Sequence, residues 1–182
     1  RPMSAREGKY LTFFVGAEEY GVQILKVREI IGMMPVTRVP NAPKIIRGVI
    51  NLRGKIIPVL DIRRKFGMPA AGTTRDSCII VVRTRGVEMG AIVDRVSEVL
   101  HVSEAAVEDA PDFGAQVDTR YLLGIAKHAE RVRLLLDIDE VLSPEELHQM
   151  RRSSERAEER VEEPPAELAE GSSEGATRRA TG

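Results

Sequence analysis

From Tyr10 onward the apolar residues fall mainly on alternate positions. Leu11, Phe13 and Val15 share one face of an extended chain, and Val87, Met89, Ala91 and Val93 share another. Arg53-Gly54 sits between the runs Val49–Leu52 and Ile56–Leu60. Arg85-Gly86 sits between Ile79–Val82 and Val87–Val93. Both read as hairpin turns in which glycine supplies the positive φ of a tight reversal. Pro58, inside a strand-like run, predicts an edge or a bulge there. Glu98–Val102, Leu122–Lys127 and Arg131–Ile138 complete a set of about nine or ten short strands. Helical turns are predicted at Gln23–Lys26, Ala42–Ile45 and Asp61–Phe66. With Val and Ile outnumbering Leu and no βαβ rhythm, the pattern predicts an all-β fold with small helices, a barrel or a sandwich.

The pattern changes near residue 150. Ser143-Pro144-Glu145-Glu146 gives an N-cap, a first-turn proline and an acidic first turn, so a helix is predicted from Pro144 to about Glu162, where Pro164-Pro165 stops it. Residues 151–182 hold six Arg and eight Glu but no Ile, Phe or Tyr. Such a stretch buries too little surface to offset its ordering entropy, and 151–182 is expected to be a charged, largely disordered tail behind a folded unit spanning 8–150.

Composition then excludes whole classes. The chain has 182 residues, is 42% hydrophobic and 30% charged, and carries a net charge of −1. That balance argues against a general nucleic-acid binder, as do an aromatic content of 4% and the absence of Trp. One cysteine, Cys78, allows neither a disulfide framework nor a zinc ribbon. No apolar run of about 18 residues is present. Arg1-Pro2-Met3-Ser4 has no apolar stretch of the kind a secretory signal needs. A cytoplasmic location and no membrane insertion are expected.

Candidate chemistry is thin. His101, His128 and His148 stand far apart without metal-ligand spacing, and Cys78 opens an apolar run as a small buried thiol does. No phosphate loop or G-x-S-x-G turn occurs. Asp61, Asp94 and Asp137 each end an apolar strand, which would make an acid site only if they converge. Arg63-Arg64-Lys65-Phe66 reads as a solvated face or a protein contact. The informative stretch is Ile24–Met34, dense in aliphatics and punctuated by charge. Most of it reads as a core strand. A groove lined by Val27 and Ile30 and rimmed by Glu29 and Arg53 would instead suit a partner helix.

Glu19-Tyr20-Gly21-Val22-Gln23-Ile24-Leu25-Lys26-Val27-Arg28-Glu29-Ile30, Val36–Pro43, Ile46-Arg47-Gly48-Val49-Ile50-Asn51-Leu52-Arg53-Gly54 and Ile57–Asp61 closely resemble the CheW family of bacterial chemotaxis coupling proteins. The similarity continues through Gly90–Asp94, Ala110–Phe113 and Leu134–Leu142 and covers roughly residues 8–145. The resemblance implies two intertwined five-stranded SH3-like barrels, with a subdomain boundary expected near 84–86. It implies no catalytic activity and no cofactor or metal. It also implies an adaptor that ties a chemoreceptor's cytoplasmic tip to the regulatory domain of a CheA-type histidine kinase at membrane-associated arrays, with other CheW-like proteins as further partners. Positions matching receptor-sensitive sites are Ile24, Val27, Glu29, Ile30, Gly48 and Arg53. Phe113 matches an aromatic of ring-forming contacts, and Glu108 departs from the basic residue some members place near it.

Four other readings stand beside this one. The module could serve a non-motility chemosensory array, or be a piece of a larger kinase or receiver fusion. It could be a small-barrel nucleic-acid binder, against which charge and aromatics weigh. An enzyme would require the three aspartates to meet in a cleft.

Overall fold

The structure is a computed structural model that describes residues 6–110 and 120–162. Eleven strands occur among the described residues: Gly8–Val15 (β1), Glu18–Gln23 (β2), Val27–Gly32 (β3), Ile46–Leu52 (β4), Lys55–Leu60 (β5), Cys78–Thr84 (β6), Val87–Val93 (β7), Arg95–Val102 (β8), Val107–Glu108 (β9), Leu122–His128 (β10) and Arg131–Leu136 (β11). Helix α1 is the single turn Ile62–Lys65, and helix α2 spans Pro144–Glu162. Three-residue 3₁₀ turns lie at Ile24–Lys26 and Glu104–Ala106. The fold is mostly β, as expected.

The strands form two sheets, ordered β8-β1-β2-β11-β10-β9 and β3-β6-β7-β5-β4. The boundary expected near 84–86 is therefore corrected. Arg85-Gly86 is the turn between β6 and β7, which pair from Cys78↔Val93 to Thr84↔Val87 inside one sheet. The chain instead changes sheets between β2 and β3 and again between β7 and β8. A pattern of alternation shows where strands lie but not which sheet they join, because pairing is non-local.

Each sheet encloses its own apolar cluster. Tyr10, Val102, Val107, Ala126 and Leu135 form one. Ile50, Ile57, Val59, Ile79 and Val81 form the other, joined by half-buried Ile31 and Ile92, so all five strands of that sheet contribute. The largest cluster lies between the sheets and takes Leu11, Phe13, Val15, Val22, Leu60, Ile80, Val82 and Met89. Strand β6 sends Ile79 and Val81 to its own sheet's core and Ile80 and Val82 to the shared one. Burial on both faces explains its unbroken apolar run. Phe13, Tyr20, Phe66 and Tyr121 form a ring-to-ring chain with centroid spacings of 6.0, 5.3 and 5.1 Å. Burial pushes the Tyr20 phenol up to about 12.

The five-stranded sheet is tied across its two ends. The chain leaving β3 passes β4 at Thr37, which exchanges two 2.8 Å backbone hydrogen bonds with Val49. Gly48 makes this approach possible: a Cβ there would lie 2.3 Å from the Thr37 carbonyl oxygen and 2.8 Å from Val36 Cγ1. Because Val49 points its polar groups at Thr37, its cross-strand partner Pro58 points away from β4. The ladder from β5 to β7 begins only at Val59. Pro58 is thus in a strand flanked on both sides, yet at a position where a missing N–H costs no ladder bond. Helix α2 covers that stretch, and Ser154 Oγ donates to the Ile56 carbonyl at 2.8 Å.

Helix α2 begins as the sequence predicts. Ser143 Oγ accepts from the Glu146 N–H at 3.1 Å, and the Glu146 carboxylate accepts from the Ser143 N–H at 2.9 Å. The helix runs through residue 150 without a break; Met150 and Ser153 are buried. The turn at Asp61–Phe66 is helical as expected. Ala42–Ile45 is not; it is a reversal with Ile46 N–H donating to Pro43 O at 3.0 Å. Pro43 disfavours the α conformation at Ala42.

Candidate functional site

Ile24–Met34 is not a core strand. Strand β3 lies at the end of its sheet, with alternate residues half-buried and exposed. The crossover leading to it is fixed by Lys26, whose Nζ donates to Asp139 at 2.8 Å; the same carboxylate accepts from Thr84 Oγ1 at 2.6 Å. Burial alone would raise the Asp139 pKa, but the hydrogen bonds from Lys26 and Thr84 outweigh it and hold the group below its ordinary value. On this anchored turn Leu25 points outward, 94% exposed.

A bulge then aims the strand. Val27 pairs with Val82 and Glu29 with Val81, leaving Arg28 as an extra residue, after which Ile30 pairs with Ile80. Directly paired residues share a face, so Val27 and Ile30 both lie on the side of Ile80 and Val82, facing the shared core. Without the bulge, residues three apart would lie on opposite faces. Glu29 goes to the other face, where Arg53 reaches it.

The other sheet repeats the device. Strand β8 is also an end strand, with Leu11 paired to Val99 and Phe13 to Val96 across a bulge. Val96 and Val99, again three apart, therefore share the face of Leu11 and Phe13 on the shared core. Cys78 pairs with Gly32 at the end of β3, and Cys78 and Val96 both pack against the shared core, as the two edge strands do. Ile24, Val27 and Val96 pack on the shared core while staying partly exposed. Ile30 at 45% and Val99 at 55% stand proud of it. The result is a partly exposed apolar surface on the shared-core side of the two edge strands, and this is the candidate groove.

Arg53 sits in the β4–β5 turn with φ 53°, followed by Gly54 at φ 88°. Positive φ is thus taken by the arginine as well as the glycine. The turn is held by Asn51 Oδ1, which accepts from the Gly54 N–H at 2.8 Å. The guanidinium meets Glu29 with two nitrogens, Nη2 at Oε1 and Nη1 at Oε2 (3.4 Å). This two-pronged pair is the strong form of the interaction. It crosses from one end of the sheet to the other and is open to solvent on the arginine side.

Of the sequence-derived positions, Ile24, Val27 and Ile30 gather on the shared-core side, and Glu29 and Arg53 form one ion pair on the other face of β3. Gly48 is buried under Thr37, where its role is steric room for the backbone. Glu108 is on β9 and pairs with Lys127 at 2.9 Å, largely exposed. Phe113 lies outside the described residues. Val96, Val99 and Leu25 were not singled out from sequence; the signal that marks the valines is their spacing of three in a strand, which a bulge converts to one face.

The three aspartates serve separate local bonds. Asp61 accepts from the Arg64 N–H and caps α1, Asp94 accepts from Gly16 N–H and Arg63, and Asp137 accepts from the Asp139 N–H. Burial raises the Asp137 pKa and that of the Cys78 thiol. One buried network stands apart: Arg133, 2% exposed, donates to Glu19 at 3.0 Å and Glu98 at 2.9 Å, while Arg131 holds the other Glu19 oxygen at 2.6 Å. It spans β8, β2 and β11, with β1 lying between β8 and β2, and serves the six-stranded sheet. No helix among the described residues is long and apolar enough to cross a membrane.

Comparison with known proteins matches the CheW-like domain family over residues 9–146. The chain is similar to the chemotaxis protein CheW of Klebsiella aerogenes, 41% identical over 139 residues that cover 76% of this chain and 84% of that one. It is similar to the chemotaxis protein CheW of Bacillus subtilis, 36% identical over 138 residues, covering 75% and 88%. Among solved structures it resembles the scaffolding protein TtCheW from Thermoanaerobacter tengcongensis, with a TM-score of 0.66 and 38% identity over 71% of this chain and 88% of that one.

Proposed function

The chain belongs to the CheW-like domain family, and from that premise we propose that it is a non-enzymatic chemotaxis adaptor whose inter-sheet groove receives the helical cytoplasmic tip of a chemoreceptor. The same molecule then presents a second surface to the regulatory domain of a CheA-type histidine kinase, so that receptor state controls autophosphorylation. The observation that carries the reading is the pair of bulged edge strands. They turn Val27 with Ile30, and Val96 with Val99, to the shared-core side of their sheets, which supports a common apolar docking surface. An apolar stripe on a helix fits such a groove, with the Glu29–Arg53 pair on the other face of β3 offering charge to the partner. A groove of a few aliphatics gives modest affinity by itself, and an array multiplies it by joining many weak contacts. Contacts near Glu108 and Phe113 to the kinase or to other CheW-like proteins, and a location at membrane-associated arrays, belong to the same reading.

The test is reconstitution: receptor cytoplasmic fragments, a CheA-type kinase and this protein, scored by co-sedimentation and kinase autophosphorylation, with Arg53→Glu in parallel. Wild type is expected to bring kinase activity under receptor control, and Arg53→Glu to lose that control while melting at an unchanged temperature. Kinase activity that is indifferent to the wild-type protein overturns the reading.

A further inference from the structure

Beyond the end of β3 the surface turns basic. A cleft of about 780 Å³ is lined by Arg38, Lys44, Arg47 and Arg64 against one carboxylate, Asp61. That carboxylate is already engaged: it caps α1 and lies 3.6 Å from Arg47 and 3.8 Å from Arg64. Arg38 and Lys44 are exposed and carry no ion pair or hydrogen bond among the described residues. Met33 and Met34 supply an apolar floor. Four cations against one anion make this a local positive field in a chain whose net charge is −1.

A second cleft, of about 590 Å³, shares Arg38 and Val39 as a common wall with the first. It runs from there to Arg156, Ala157 and Glu159 on the last turns of α2. The chain therefore leaves α2 at Glu162 beside a cleft that leads to the basic one. The next twelve residues, 163–174, contain Glu163, Glu167, Glu170 and Glu174, no Lys or Arg, and one large aliphatic, Leu168. Five residues of extended chain reach about 17 Å, so Glu167 and Leu168 can lie that far from the end of α2.

We propose that the acidic stretch 163–174 of this chain is the occupant of the basic cleft, its glutamates against Arg38 and Lys44 and Leu168 against the methionine floor. Charge complementarity and the exit point of α2 select this occupant over an outside partner. The proposal does not depend on the receptor reading, since the basic cleft and the inter-sheet groove are lined by different residues.

The experiment uses the full chain in two forms, wild type and the quadruple variant Glu163→Gln, Glu167→Gln, Glu170→Gln, Glu174→Gln. A synthetic peptide of residues 163–174 is titrated into each by calorimetry. In wild type the tethered stretch competes at an effective concentration of about 1 mM, so a peptide of ~100 μM affinity should bind the quadruple variant about tenfold more tightly than wild type. Adding Arg38→Glu and Lys44→Glu to the quadruple variant should abolish the binding, and raising the salt from about 0.05 to 0.3 M should weaken it several-fold. Thermal melts confirm that these exposed substitutions leave the fold intact. Equal binding to both forms, or to neither, overturns the proposal. So does a wild-type dimer in sedimentation velocity that the quadruple variant dissolves, because the stretch would then dock on a second copy.

Discussion

Replacing Gly48 by alanine tests the packing that holds the five-stranded sheet together. The new Cβ would sit 2.3 Å from a backbone oxygen, Thr37 O, and 2.8 Å from Val36 Cγ1. A backbone oxygen cannot swing aside as a side chain can, so the segment at Thr37 must retreat. Its retreat breaks the two 2.8 Å hydrogen bonds between Thr37 and Val49, each worth about 1 kcal/mol net. Strain from the backbone, at φ 155°, and from residual overlap adds about 1–2 kcal/mol. The sum is about 3–4 kcal/mol. For a chain of this size that lowers the melting temperature by roughly 6–15 °C. The assay is a denaturant and thermal melt followed by circular dichroism, with Gly32→Ala as control. Gly32 is exposed on β3 and its Cβ would meet nothing within 4 Å, so that variant should stay within about 0.5 kcal/mol of wild type. A Gly48→Ala protein that melts with the control would refute the reasoning.

Arg133→Met should cost about 3–5 kcal/mol, because Glu19 stays buried with only Arg131 to meet its charge; Arg133→Met together with Glu19→Gln should recover part of this, and chemical denaturation reads both. Glu146 is held below its ordinary 4.5, since the hydrogen bonds from Lys65 and Ser143 outweigh burial. A depressed carboxylate stabilises the fold above its unfolded value and loses that contribution as the pH falls below 4.5, so Glu146→Gln should flatten the acid limb of melting temperature against pH. Leu25→Ser and Ile30→Ser should leave the melting temperature within about 2 °C, both side chains being substantially exposed, yet weaken co-sedimentation with receptor fragments several-fold.

The fold was legible where alternation was clean. Leu11, Phe13 and Val15 do share the shared-core face, and both Arg-Gly turns close hairpins. Strand β2 was hidden because Glu19 and Gly21 take inward positions: Glu19 is paired to Arg133, and Gly21 leaves room for Leu135 and Tyr10. Strand β11 was legible despite Arg133, because Val132, Leu134, Leu135 and Leu136 surround it. A buried ion pair reads as surface in a linear pattern. The sheet exchange was invisible because it depends on pairing between segments far apart in the chain. At the groove, composition suggested Val27, Ile30, Glu29 and Arg53, and the family likeness added Ile24 and Gly48. Neither source showed that bulges at Arg28 and within β8 would turn Val27 with Ile30, and Val96 with Val99, to the shared-core side of their sheets.

The most direct test of the groove is a nuclear magnetic resonance titration of the isotopically labelled full chain with a receptor cytoplasmic fragment. Shifts confined to the amides of residues 24–33, 95–100 and Arg53 are the predicted result. Shifts concentrated on β10, β11 or α2, with β3 and β8 unmoved, would contradict the account.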